Sequence, residues 1–252
     1  MLLVTGPTGS GKTTTLYSLI NGRRSGEVNI ITVEDPVEYR LPGISQIQVN
    51  ERTGLNFASA LRSVLRQDPD IILVGEVRDR ETADIAFQAA LTGHLVFSTL
   101  HTNDAVATVN RLLDMKVDRF KIAPALIGVV SQRLARRVCP ECREEEAPAE
   151  GMARLLAAAG LPTRQWRGKG CAGCGFTGLS GRAAVVELLD LSHRDARDVL
   201  GVEMDAGAFR ALALKKGWLL PAAYDALWHL AAGTIPVEEA AAFLDAPDLP
   251  AP

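Results

Sequence analysis

The feature that most constrains this chain is a glycine-rich segment at residues 6–13, which reads GPTGSGKT. It has the complete G-x-x-x-x-G-K-S/T pattern of a phosphate-binding loop, and it lies between the apolar residues 1–4 and a helix predicted at residues 13–20. A strand, a glycine-rich turn and a helix in this order direct backbone N–H groups at one point, where the phosphates of a nucleotide can bind. The segment therefore predicts a nucleotide-binding α/β domain.

Within this loop, we expect Lys12 to reach the β- and γ-phosphates and the hydroxyl of Thr13 to ligate Mg²⁺. The predicted nucleotide-binding set is Gly6, Pro7, Thr8, Gly9, Ser10, Gly11, Lys12, Thr13 and Thr14. Because an isolated pattern can occur by chance, the flanking strand and helix are what favour a genuine nucleoside triphosphate site.

Composition limits the other possibilities. The chain has 252 residues, of which 47% are apolar, enough for one large α/β domain or a domain with small appendages. No apolar run reaches the ~18 residues that a bilayer requires, so we expect a cytoplasmic chain with no direct membrane span. A formal net charge of −3 argues against a nucleic-acid partner. The local basic cluster of Arg133, Arg136 and Arg137 fits a solvated or interface surface better than a phosphate-backbone contact.

Apolar, β-rich segments alternate with helical patterns in the first half of the chain. We predict strands at residues 29–33, 71–75 and 95–98, and helices at residues 57–66, 81–91 and 105–113. This alternation indicates a mostly parallel sheet with helices on both faces. Since ligands bind at the carboxyl ends of the strands in such sheets, the active edge follows from the strand positions.

The second half has a different composition. We predict a helix at residues 120–134, a strand at 183–189, helices at 194–200, 206–215, 219–231 and 237–244, and a frayed tail from Ala246. These patterns divide the chain into a core at residues 1–138, a tetracysteine module at residues 139–181, and a C-terminal strand and helical subdomain at residues 182–252.

Two predicted strands end in acidic residues. Glu34 and Asp35 follow the second strand, where a carboxylate can orient or deprotonate a water in line with a γ-phosphate. A Glu-Asp-Pro sequence is also an ordinary turn, and only its position relative to the phosphate loop favours the catalytic interpretation. Glu76 ends the strand after that and is expected to hold Mg²⁺. Because Glu is longer than the usual Asp, a water-mediated contact is favoured.

Arg78 and Asp79 come directly after this acid, and they fit a local ion pair as well as a nucleotide contact. His94 and His101 bracket the next strand and would be ~23 Å apart if the residues between them are extended, which rules out a shared metal ion. We expect His101, at the active edge, to hydrogen-bond to the γ-phosphate, and His94 to be structural.

All four cysteines lie in two CxxC pairs, Cys139 with Cys142 and Cys171 with Cys174. Two such pairs supply four thiolates in tetrahedral geometry, which predicts a structural Zn²⁺ site. Disulfides are the alternative, and a cytosolic chain disfavours them.

The segments GPTGSGKT, TVEDPVE, LRQDPDIILVGEVRD and TGHLVFSTLHTND, with the paired CxxC motifs, closely resemble the secretion ATPase family. These are the motors of type II secretion and type IV pilus assembly, the GspE/PilB group, and their motifs are called Walker A, Asp box, Walker B and His box. The match extends from residue 1 to about residue 244 in the family's order. The resemblance implies a RecA-like P-loop NTPase fold and ATP as the substrate.

The resemblance also implies residue roles. Lys12 and Thr13 hold phosphate and Mg²⁺. Glu34 is the general base, Glu76 is the Mg²⁺-linked acid and His101 contacts the γ-phosphate, although the two glutamates could exchange roles. The tetracysteine motif is similar to that of the assembly and secretion branch of the family. Pilus retraction motors lack this motif, so the resemblance is to the former branch. The sequence does not distinguish among secretion, pilus assembly and DNA uptake as the process that the motor drives.

The partners that the resemblance implies are those of a ring motor. The family resemblance implies a homo-hexamer in the cytoplasm that adds pilin-like subunits to a filament. It also implies that this hexamer is peripheral at the inner membrane, where it binds a platform protein and a cytoplasmic adaptor. A nucleic-acid translocase and a nucleotide-binding fragment without turnover are the alternatives. The family's motors carry a further N-terminal domain that lends arginines to the phosphates, whereas this sequence begins close to its phosphate loop. We therefore expect weak nucleotide affinity, poor ring assembly and slow hydrolysis, with Met1 as an internal start or a fragment boundary.

Overall fold

Parallel strands and crossover helices form the first part of the computed structural model, which describes residues 1–244. Strand β1 (Leu2–Thr5) leads into helix α1 (Lys12–Arg23), as the glycine-rich loop predicts. The following elements are β2 (Ile30–Glu34), β3 (Ser45–Gln48), the 3₁₀ turn η1 (Glu51–Thr53), α2 (Phe57–Val64), β4 (Ile71–Val74), α3 (Arg80–Leu91), β5 (Leu95–Leu100), α4 (Ala105–Asp114), α5 (Arg119–Ala125) and β6 (Gly128–Val138). The predicted tail from Ala246 lies outside the described residues.

Residues Met1–Ser131 and Leu189–Arg210 pack as one compact unit. Its strands, with the first four residues of β6, follow the order β6-β1-β5-β4-β2-β3, and the pairings between neighbours are parallel. Every residue of β2 and β4 is buried, as expected of parallel strands that are covered on both faces. The prediction of a mostly parallel α/β sheet is therefore confirmed, and the carboxyl ends of β1, β2, β4 and β5 meet at one edge.

The predicted helix at residues 120–134 is wrong beyond Ala125, where α5 ends and the chain continues as β6. Three features explain the change. Pro124 lies in the last turn of α5. The β-branched Val129 and Val130 pair with β1. A Cβ on Gly128 would lie 3.2 Å from the carbonyl oxygen of Leu189, so this strand start has little room for a side chain. The pairing with β1 joins segments that are far apart in the sequence, so the hydrophobic pattern of residues 120–134 alone could not predict it.

Residues 132–188 and 211–244 form the second compact unit. Elements after β6 are β7 (Arg143–Glu146), α6 (Glu150–Ala158), β8 (Gln165–Gly168), the 3₁₀ turn η2 (Ala172–Cys174), β9 (Leu179–Asp190), α7 (Arg194–Leu200), α8 (Ala206–Lys215), β10 (Leu219–Leu220), α9 (Ala222–Ala231) and α10 (Val237–Ala241). Of these, α7 belongs to the first unit, and β9 and α8 pass between the units. Strands β7 and β8 form an antiparallel pair.

The core of the second unit packs α9 against β9, with Leu156, Val185, Leu227, Leu230 and Ile235 buried in it. The helix predicted at residues 219–231 begins only at Ala222, because Pro221 caps α9 and the two preceding residues pair as β10. The helix predicted at residues 237–244 ends at Ala241. The three-part division of the chain by composition stays a prediction. Among residues 1–244, the structure has no helix that is long and apolar enough to cross a bilayer.

Candidate active site

The phosphate-loop residues form a glycine-rich turn at the start of α1, with a geometry that suits an anion. Gly9 and Gly11 have left-handed backbone conformations, with φ of 79° and 86°, which turn the chain into the helix. Gly11 is the cap of α1 and supplies no side-chain cap, and the first helical turn contains no acidic residue. The helix dipole therefore favours an anion at this end, where no acidic side chain of the first turn opposes it.

Lys12 spans the mouth of this loop. Its Nζ donates hydrogen bonds to the carbonyl oxygens of Gly6 at 2.9 Å and Pro7 at 3.1 Å. Burial lowers the pKa of Lys12, and the negative charge of Glu76 opposes that shift. A phosphate group would replace the two carbonyl oxygens with a stronger, charge-assisted contact.

A cleft of about 320 Å³ opens beside the loop, within the size range of small-molecule sites. It is lined by six residues that the sequence predicts for the site, namely Thr8, Lys12, Thr13, Glu34, Glu76 and His101. The other residues of the predicted nucleotide-binding set are not among those that line it. Among them, Thr14 accepts a hydrogen bond from Ser18 through its carbonyl oxygen.

Glu34 ends β2 and is only 3% exposed, although it lines the cleft. Its Oε2 accepts a hydrogen bond from the hydroxyl of Tyr17. Its Oε1 accepts from Thr32 Oγ1 at 2.5 Å and from Gln46 Nε2 at 3.1 Å. All three donors are neutral groups, so none of these hydrogen bonds pairs the carboxylate with a cation.

Glu76 follows β4 and has a different environment. Its Oε2 accepts a hydrogen bond from Arg78 Nε at 2.8 Å, and its Oε1 lies 3.2 Å from His101 Nε2. Arg78 also lies 3.5 Å from Asp35, so it joins the ends of β2 and β4. Asp79 caps α3 by accepting from the backbone N–H of Thr82 at 2.8 Å. Arg78 thus pairs with the acidic side chains of the cleft, whereas Asp79 caps the N-terminus of α3.

The two histidines that bracket β5 lie in different surroundings. His101 lines the cleft at the carboxyl end of the strand. At the other end, the Nδ1 of His94 lies 2.9 Å from the carbonyl oxygen of Ala89 and 3.2 Å from Thr92 Oγ1. These contacts fit the structural role that the sequence predicts for His94.

Sequence reasoning missed Tyr17 and Gln46, which both contact Glu34. Tyr17 had a usable signal, because it lies four residues after Thr13 and therefore on the same face of α1. Gln46 had no local signal. It reaches Glu34 because β3 pairs with β2, with Thr32 opposite Gln46.

The four cysteines of the second unit lie together, with all their Sγ atoms within 4.8 Å of one another. Three of the Sγ pairs are 3.7 to 3.9 Å apart, which exceeds a disulfide bond. Four sulfurs bound at ~2.3 Å to one tetrahedral Zn²⁺ would be separated by about 3.8 Å. The backbone N–H groups of Cys171 and Gly178 donate to Cys174 Sγ and lower the pKa of this thiol, whereas the pKa values of the neighbouring Cys142 and Cys171 thiols are raised. The cluster therefore fits a metal ion.

A phosphate-binding loop between the first parallel strand and its helix, with acids at the ends of two neighbouring strands, defines a P-loop nucleotide-binding domain of RecA-like class. Residues 1–218 match the sequence profile of the family described as type II/IV secretion system protein, and the chain belongs to this family. The family resemblance drawn from the motifs is thereby confirmed.

Individual relatives are similar over most of this chain. It is 54% identical over 195 residues to the type II secretion system protein E of Klebsiella pneumoniae, covering 77% of this chain and 39% of the relative. It is 51% identical over 220 residues to the type IV pilus assembly ATPase PilB of Thermus thermophilus, covering 86% and 25%. The chain thus spans well under half the length of these relatives.

Solved structures show the same fold. The pilus retraction motor PilT with bound ADP is 31% identical, with a TM-score of 0.71, and the match covers 98% of this chain and 61% of PilT. The Legionella pneumophila ATPase DotB is 25% identical, with a TM-score of 0.68, and the match covers 96% of this chain and 58% of DotB.

Proposed function

We propose that this chain is the ATP-hydrolysing motor core of a type II secretion or type IV pilus assembly system, and that it powers the addition of pilin-like subunits. The observation that carries this proposal is the convergence of Lys12, Glu34, Glu76 and His101 on one cleft. It is supported by the relatives, which are named as a type II secretion protein E and a pilus assembly ATPase.

The environments of the two glutamates support different roles for them. Glu76 contacts Arg78 and His101, which suits a carboxylate that organises cations and phosphates. Glu34 accepts only from neutral donors in its hydrogen bonds with Tyr17, Thr32 and Gln46, which suits the general base that takes a proton from the attacking water.

The remaining groups bind and orient the nucleotide. Lys12 and the N-terminal N–H groups of α1 hold its phosphates, and His101 contacts the γ-phosphate. Thr13 and Glu76 would hold Mg²⁺, which when bound neutralises charge on the β- and γ-phosphates. The four cysteines would hold a structural Zn²⁺ and leave it no open position.

For the assembled machine we propose a cytoplasmic homo-hexamer that docks at the inner membrane on a platform protein and a cytoplasmic adaptor. The family membership and the names of the relatives support this proposal. The formal net charge of −3 favours protein partners over nucleic acid. Type II secretion proteins and pilus assembly ATPases both occur among the relatives, so the proposal covers both.

The test separates turnover from binding. In Glu34→Gln we expect phosphate release to fall at least ~100-fold, because the general base is lost, while nucleotide affinity stays within about threefold. Glu27→Gln, an exposed acid elsewhere in the same unit, serves as the matched control and should behave like the native chain. If Glu34→Gln releases phosphate at the native rate, the assignment is wrong. If the native chain binds nucleotide and releases none, it is a binding module without turnover.

A further inference from the structure

Tyr17 is a buried aromatic residue whose one polar side-chain atom contacts the proposed general base. Its ring packs in the core between α1 and the sheet, beside Leu16 and Ile20, and the residue is only 2% exposed. The ring of Tyr39 packs edge-on against it, with centroids 4.7 Å apart. With the ring fixed by this packing, the hydroxyl has a fixed direction, and it donates to Oε2 of Glu34.

The carboxylate of Glu34 has roughly four acceptor positions on its two oxygens. Tyr17 occupies one on Oε2, and Thr32 and Gln46 occupy two on Oε1. One position therefore remains for a water molecule in the cleft that Glu34 lines. Of these three donors, only Tyr17 bonds to Oε2, so its removal would take away the hydrogen bond that holds this oxygen.

Tyr17 also shares an element with the phosphate-binding residues. Lys12, Thr13 and Tyr17 all belong to α1, and Thr13 and Tyr17 are four residues apart on the same face of the helix. One rigid helix thus carries the groups for the phosphates at its first turn and the donor to Glu34 one turn later. This arrangement fixes the distance between the bound triphosphate and the base.

We propose that Tyr17 is a positioning residue, which orients the Glu34 carboxylate toward the attacking water and keeps it in its ionised form. The inference rests on the proposed function, since Glu34 must act as the base. In the reaction, the attacking water transfers a proton to Glu34 as its oxygen bonds to the γ-phosphorus and the bond to the leaving ADP oxygen breaks. Burial and the bond to Glu34 raise the pKa of Tyr17, so its hydroxyl keeps its own proton throughout.

Several ionisable groups other than Tyr17 also line the cleft around Glu34. The cleft lining around Glu34 contributes Lys12 from α1, Asp35 and Glu38 from the loop after β2, Glu76 and Arg78 after β4, and His101 after β5. Thr32 and Gln46 complete the contacts of the carboxylate from β2 and β3 and carry no charge. Tyr17→Phe leaves these charged side chains in place and removes the neutral donor to Glu34, together with the contacts that the hydroxyl accepts from Gln46 Nε2 at 3.5 Å and from the backbone of Glu38.

The experiment is the pH dependence of phosphate release by Tyr17→Phe. We expect kcat to fall about 10- to 100-fold with KM within about twofold, because the lost bond orients the base and does not bind the nucleotide. The acid limb of the profile should move up by about one pH unit, because a carboxylate that loses a donor is protonated more easily. Tyr39→Phe removes a hydroxyl from the other ring of the same aromatic pair and should change neither quantity.

A second readout needs no turnover. The ¹³C signal of the Glu34 side-chain carboxyl, assigned with Glu34→Gln, should titrate about one pH unit higher in Tyr17→Phe than in the native chain. If Tyr17→Phe does not fold, Thr32→Val tests the same set of neutral donors and should shift the titration in the same direction. Native kcat, acid limb and Glu34 titration in a folded Tyr17→Phe chain would overturn the inference. If phosphate release does not depend on Glu34 or Lys12, the proposed function fails instead, and the titration still decides whether Tyr17 stabilises the carboxylate.

Discussion

Glu76 and His101 join the ends of two neighbouring strands across the cleft, with Oε1 of the glutamate 3.2 Å from Nε2 of the histidine. Their strands β4 and β5 pair in parallel, with Val74 opposite Ser98, so both residues lie just beyond the same edge of the sheet. A histidine in this position can exchange its contact with the acid for one with a γ-phosphate.

This relationship predicts that His101 discriminates between nucleotides. In His101→Ala, the ratio of affinities for a non-hydrolysable ATP analogue and for ADP should fall about tenfold, because only the triphosphate offers the γ-phosphate contact. Calorimetric titration with both ligands measures the ratio. His94→Ala changes the histidine at the opposite end of β5, where its ring contacts Ala89, and should leave the ratio unchanged. An unchanged ratio in His101→Ala would exclude the γ-phosphate contact.

The cysteine cluster predicts one structural metal ion per chain. The purified chain should contain about one Zn²⁺, and Cys171→Ser should lose it, because three thiolates and a hydroxyl bind zinc much more weakly. Chelation should lower the melting temperature, and added Zn²⁺ should restore it whereas Mg²⁺ should not. Elemental analysis and thermal unfolding provide the measurements. A metal-free native chain with the same melting temperature before and after chelation would refute this site.

Two helix-end glycines in the second unit offer a matched test of packing. Gly217 and Gly233 have φ of 71° and 73°, and both follow a helix in the same hydrogen-bonding pattern. A Cβ on Gly217 would meet nothing within 4 Å, whereas a Cβ on Gly233 would lie 2.6 Å from the ring of Trp166.

Gly217→Ala should therefore lower the free energy of unfolding by about 1 kcal/mol, which is the cost of the left-handed backbone alone. Gly233→Ala should cost about 2 kcal/mol more, because the indole of Trp166 must move. Urea unfolding of the two variants measures the difference. Equal losses in both variants would show that Trp166 does not pack against this turn.

The parts of the site that sequence patterns predicted are those encoded locally. The phosphate loop, the acids at strand ends and the spacing of the cysteine pairs each lie within a few consecutive residues. The prediction failed where distant segments decide the structure. Residues 128–134 are a strand because Val129 and Val130 pair with β1. Likewise, Gln46 reaches Glu34 because β3 pairs with β2, and no pattern around residue 46 predicts that pairing.

The most direct test of the proposed motor core is phosphate release from ATP by the native chain and by Lys12→Ala. Lys12 contacts the loop carbonyl oxygens where a phosphate would bind, and its loss should remove charge stabilisation of the transferred phosphoryl group. We predict Mg²⁺-dependent release by the native chain and a rate at least ~100-fold lower in Lys12→Ala, with unfolding transitions that coincide. Equal rates for the two chains, with ATP bound by the native one, would contradict the assignment of this cleft as an ATPase site.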